Sequence, residues 1–140
     1  MLRKIITVFA LSVLLSSNIV MAQNADKEKA AVAAAEKWLA LVDQGKHAKS
    51  WKEAAGYFRT AVRQEQWEQA LQAVRKPLGR LISRKVTSAS YKTSLPGVPD
   101  GDYMVILFEA SFENKKSAVE TVTLMKEKDG SWRVAGYFIK

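Results

Sequence analysis

The apolar pattern of the chain changes at Leu81 and does not change back. Before it, apolar residues recur at the spacing of one helical face; after it they follow the alternation and turn punctuation of strands. Helices first and strands afterwards leave no strand–helix–strand unit from which to build a parallel sheet. The strands are therefore expected to pair with their sequence neighbours, and the helices to cover one face of the product. The expected class is α+β, with three N-terminal helices packed on one face of a four-stranded antiparallel meander.

The clearest helix spans residues 25–44, where Ala31, Ala34, Ala35, Trp38, Leu41 and Val42 share a side, Asp26 and Glu28 lie at the start and Gly45 is the stop. Ser50-Trp51-Lys52-Glu53 matches a capping box and predicts a short second helix, with Trp51, Ala54, Ala55 and Phe58 together. The third spans residues 63–76, striped by Trp67, Ala70, Leu71 and Val74 and ended by Pro77-Leu78-Gly79. Four strands are expected, from Leu81 to Ser94 and over residues 102–113, 117–127 and 132–139. The loop Leu95–Gly101, Asn114-Lys115-Lys116 and the two-residue turn Asp129-Gly130 supply the reversals.

Arg3 and Lys4 precede the apolar run Ile5–Leu15, which gives way to Ser16, Ser17 and Asn18 and then Val20-Met21-Ala22. A basic start, a short apolar stretch and a small-residue exit are the layout of a cleaved secretory signal, and the run is too short to be a retained span. Cleavage is expected after Ala22, with Ala25 as a second site. Removing 22 of the 140 residues leaves a single domain over residues 23–140, large enough to bury its own core. With no cysteine there is neither a disulfide nor a lipid-modified cysteine anchor. The expected location is the bacterial periplasm or the outside of the cell.

Without Arg3 and Lys4, 20 basic residues stand against 14 acidic ones, a net +6. The excess gathers where no acid occurs, between Glu68 and Asp100, at Arg75, Lys76, Arg80, Arg84, Lys85 and Lys92. Such a patch suits an anionic envelope component. The plainer reading, which we prefer, has Arg75 and Lys76 closing a helix C-terminus and the rest solvating an exposed strand. No aromatic residues interleave with the cluster, so nucleic acid is not the expected partner.

Register decides what the acids of the strands can do. A loop of two or four residues within 113–118 pairs odd positions of the second strand with even positions of the third. Met104, Ile106, Phe108, Ala110, Phe112, Val119, Thr121, Thr123, Met125, Trp132, Val134 and Phe138 then face the helices. Glu109, Glu120 and Tyr137 fall together on the opposite face, with Val105, Leu107, Val122, Leu124 and Ile139. An enclosed Glu109–Glu120–Tyr137 group would suit acid/base chemistry. The preferred reading is a solvated or partner-covered face, including a homodimer through the sheet. Asp43, His47 and Ser50 are the residue types of a hydrolase triad, but Ser50 is assigned to the cap and no oxyanion-hole signature accompanies them. A single histidine and no cysteine argue against a zinc or copper site, and no phosphate, dinucleotide or calcium motif occurs, so no metal or cofactor is expected.

The stretches Ala35–Asp43, Ser50-Trp51, Gln66–Leu71, Arg84-Lys85, Ser94–Gly97, Phe112–Lys116, Glu120–Val122 and Asp129–Tyr137 together resemble an uncharacterised bacterial family, domain of unknown function 4019. The resemblance implies an exported domain of unassigned activity and transfers no catalytic residue. The order of elements also resembles a reduced form of the cone-shaped, cystatin-like roll shared by nuclear transport factor 2 and ketosteroid isomerase. That likeness implies a cone that in the isomerases holds an acid and a tyrosine hydroxyl. Tyr57, Tyr91, Tyr103 and Tyr137 are candidates for the phenol here, but the expected register puts no acid on the helix-facing side. The reading is a non-enzymatic module that binds a protein or an apolar small ligand, with an acid/base enzyme built on Glu109, Glu120 and Tyr137 as the alternative.

Overall fold

A computed structural model describes the backbone from Leu2 and the side chains from Ile19 to Lys140. Of the expected export signal, residues 1–22, Met1 and the side chains as far as Asn18 lie outside what is described, and cleavage is not tested by the fold. The elements run α1 (Leu2–Asp43), α2 (His47–Lys52), α3 (Gly56–Ala61), α4 (Gln64–Arg75), β1 (Leu81–Lys92), β2 (Tyr103–Phe112), β3 (Lys115–Lys126) and β4 (Trp132–Ile139). Among the described residues no helix is long and apolar enough to cross a membrane.

α1 ends where the sequence places its stop. Gly45 takes φ +74, and the amides of Gly45 and Lys46 close onto the carbonyls of Val42 and Leu41. The predicted second helix is two: the chain turns at residues 53–55, where the Ala55 amide donates to the Val134 carbonyl at 2.8 Å and the Gly56 amide to Glu127 Oε1 at 2.9 Å. Those bonds reach across to the sheet, so tertiary partners replace the helical ones and the helix breaks.

Ser50 is no cap. It lies inside α2, fully buried, and its hydroxyl donates to the His47 carbonyl at 2.6 Å while accepting the Trp67 indole N–H at 3.0 Å. Its carbonyl accepts the Trp38 indole N–H at 2.9 Å. One small polar residue thereby ties α1, α2 and α4 together, and the Trp38 and Trp67 rings pack 6.0 Å apart above it. Ala31, Ala35, Trp38, Leu39 and Val42 of α1 bury against Met104, Ile106, Phe108, Val122, Leu124 and Val134 of the sheet.

The sheet is the expected meander, in the order β1-β2-β3-β4 with antiparallel pairs throughout. Its register differs from expectation at two bulges. The first hairpin turns at Glu113-Asn114, so that Phe112 pairs with Lys115, and β3 then holds one extra residue before Ala110 pairs with Ala118. Even positions of β2 therefore meet even positions of β3: Phe108 lies opposite Glu120, Ile106 opposite Val122 and Met104 opposite Leu124. One inserted residue turns every later side chain of β3 to the other face. Glu120, Val122 and Leu124 go inward, whereas Val119, expected inside, is exposed. A second irregularity in β4, at Ala135, lets Trp132 and Val134 face the same side as Tyr137 and Ile139 and leaves Phe138, also expected inside, 55% exposed.

Candidate functional site

The inward turn of β3 places Glu120 in the middle of the core side of the sheet with 0% of its surface exposed. An isolated buried carboxylate is costly, and the chain supplies partners from two neighbouring strands, themselves tied to the ends of α1 and α4. Arg84 of β1 reaches it with one edge of its guanidinium, Nε to Oε1 at 2.6 Å and Nη2 to Oε2 at 3.1 Å. The Tyr137 hydroxyl of β4 donates to Oε2 as well. Arg84 also bridges to Asp43, the last residue of α1, through Nη1 to Oδ2 at 2.7 Å and Nη2 to Oδ1 at 2.9 Å. Arg75, ending α4, adds an Nη2 contact to Asp43 Oδ1 at 2.8 Å. Its Nε and Nη1 find no hydrogen-bond acceptor, and its guanidinium lies over the Phe112 ring, 4.9 Å from the centroid.

The network holds two carboxylates, two guanidiniums and a phenol, with formal charges that cancel. Burial alone would raise the Asp43 carboxyl, but hydrogen bonds and charge from Arg84 and Arg75 outweigh it and hold that carboxyl below its ordinary value. Burial likewise works against the Arg84 cation, and Asp43 and Glu120 more than reverse it, keeping the guanidinium protonated. Burial and the adjacent Glu120 charge push the Tyr137 hydroxyl up, so it remains a donor. Every carboxylate oxygen in the group is engaged, which suits a lock between helices and sheet.

The sequence candidates are thus divided. Glu120 and Tyr137 meet as expected, but on the helix-facing side, where the expected register puts no acid. Glu109 lies on the outer face, paired with Lys85 at 3.3 Å, the two side chains being 59% and 74% exposed. The three do not form one group. Of the basic cluster, Arg75 and Arg84 are inside the network, Arg80 pairs with Glu113 at 3.0 Å in solvent, and Lys76 and Lys85 are exposed. Asp43, His47 and Ser50 make no triad either: Asp43 serves the two arginines and Ser50 faces Trp67. His47 is held below its usual range by burial and by the nearby Arg75 charge. Among the described residues, no cluster of three His, Cys, Asp or Glu side chains is arranged for a metal. Sequence reasoning missed the partnership of Asp43 and Arg84, for which no local pattern exists at a separation of 41 residues.

A family model described as "Protein of unknown function (DUF4019)" matches residues 34–137. No curated protein matches the chain. A solved structure from Catenulispora acidiphila is similar at 12% identity and a TM-score of 0.56, over 84% of this chain and 93% of that one. A Shewanella frigidimarina protein described only provisionally as a ketosteroid isomerase is similar at 18% identity and a TM-score of 0.51, over 79% of this chain and 94% of that one. These likenesses show the fold, which is that of the nuclear transport factor 2-like proteins.

Proposed function

The chain belongs to the DUF4019 family, whose description assigns no activity, and we propose that it is an exported module of the bacterial envelope that works by binding and not by catalysis. The observation that carries this reading is the closed state of Glu120. A general base needs a free lone pair and a path for substrate. Glu120 lacks the path: it has no exposed surface, and three hydrogen bonds from Arg84 and Tyr137 already hold its two oxygens. Export rests on the basic start, apolar run and small-residue exit of residues 1–22. Contact with a protein partner through the outer face of the sheet, a second copy being the simplest, is part of the same reading. Leu107, Val119 and Phe138 lie there beside Lys85 and Glu109.

The test is chemical access. The folded protein is treated with a water-soluble carbodiimide and a small amine, and its carboxyl groups are mapped by peptide mass spectrometry. Glu109 should be modified and Glu120 should stay intact until the protein unfolds. Modification of Glu120 at the rate of Glu109 in folded protein would return the acid/base alternative to first place.

A further inference from the structure

A cleft of about 420 Å³ opens between α1, the bend after α2 and the start of β4, away from the outer face of the sheet. Its size lies in the range of small-molecule sites. Ala34 and Trp132 contribute its accessible apolar lining, above the buried core side chains Trp38 and Val134, and Trp38 has already given its indole N–H to the Ser50 carbonyl. Lys37 and Arg133 also line it.

Two features of these residues point to a ligand. Trp38, Trp51 and Trp67 each donate their indole N–H to a protein acceptor, whereas among the described residues Trp132 donates to none. Lys37 and Arg133 likewise have no carboxylate within 4.0 Å among the described residues. Arg133 makes only long hydrogen bonds, at 3.4 Å to Ser131 Oγ and 3.5 Å to the Glu53 carbonyl. Glu53, the one acid of the lining, is 4.0 Å from Lys49. An apolar lining, an idle indole donor and two unpaired cations complement a flat apolar body that carries an anionic group.

We propose that this cleft binds a small amphipathic carboxylate, its apolar body lying against Trp132 and Ala34 and its carboxylate held by Lys37 and Arg133. The inference deepens the binding reading and rests on it. A cleft that fails to bind leaves the Glu120 access experiment to judge that reading separately.

The probe is 2-naphthoate, with naphthalen-2-ylmethanol as its neutral counterpart, titrated into the full domain while the indole N–H resonances are followed by NMR. Naphthoate should shift the Trp132 resonance saturably. The alcohol offers the two cations no negative charge and should bind more weakly by about tenfold or more. The Lys37→Gln/Arg133→Gln double variant should reduce naphthoate to the affinity of the alcohol and leave the alcohol itself unchanged, with the circular dichroism spectrum intact. Equal affinity for the two probes, full naphthoate affinity in the double variant, or shifts centred on another tryptophan would each overturn the proposal.

Discussion

Replacing Arg84 by Met tests the buried network at its centre. Met keeps most of the aliphatic volume and removes four N–H···O hydrogen bonds, two to Glu120 and two to Asp43. Asp43 retains Arg75 and has 20% of its side chain exposed, so water partly replaces what it gives up. Glu120 has no exposed surface and keeps only the Tyr137 hydroxyl. Stranding one member of a buried pair costs about 3–5 kcal/mol. For a domain of this size that corresponds to a fall in Tm of roughly 10–20 °C. The neighbouring substitution Lys85→Met is the control, since its pair with Glu109 is largely exposed and such pairs contribute under about 1 kcal/mol. Urea unfolding followed by circular dichroism measures both. A destabilisation below about 1 kcal/mol for Arg84→Met, or equal effects for the two variants, would refute the inward register of β3 and the network with it.

The same variant carries a pH signature. The Asp43 carboxyl sits lower in the folded protein than in the unfolded chain, so it adds stability that is fully present above about pH 4 and is lost as pH falls through the folded value. Arg84→Met removes one of its two guanidiniums, moves the folded value back toward the unfolded one, and should flatten that acid limb.

Ser50→Ala leaves the Trp67 indole N–H without its acceptor in the core, and should cost about 1–3 kcal/mol in urea unfolding, against near zero if Ser50 were a solvent-exposed cap. Protein beginning at Gln23 should melt within about 2 °C of the full chain. Ile19, Val20, Met21 and Ala22 are exposed, whereas α1 is tied to the sheet further along, by Lys27 over the Tyr91 ring at 4.4 Å. The mass of the protein recovered from cells reports the cleavage itself, with removal of residues 1–22 expected.

Much of the fold is legible in one dimension because its determinants are local. The helical stripe through Ala31, Ala35, Trp38 and Val42, the Gly45 stop and the four strands depend on neighbouring residues alone, and the structure follows them. The break between α2 and α3 is hidden in the sequence because it is made by Val134 and Glu127, far along the chain. Ser50 resembles a cap for a similar reason: Ser-x-x-Glu is a local pattern, while the Trp38 and Trp67 indoles that claim it come from other helices.

Sequence by itself determined the order of helices and strands, the antiparallel meander, the apolar face of each helix and the absence of cysteine chemistry, since each follows from residue type and near spacing. Only tertiary structure decided where the charges went. A single bulge residue in β3 carries Glu120 from the solvent side to the core, and side-chain alternation gives no warning of it. Once inside, Glu120 draws in Arg84, and Arg84 is shared with Asp43, from positions 36 and 41 residues apart. A run of basic residues that looks like a surface patch in sequence becomes in part a buried lock, because a buried charge is tolerated only where its partners converge in space.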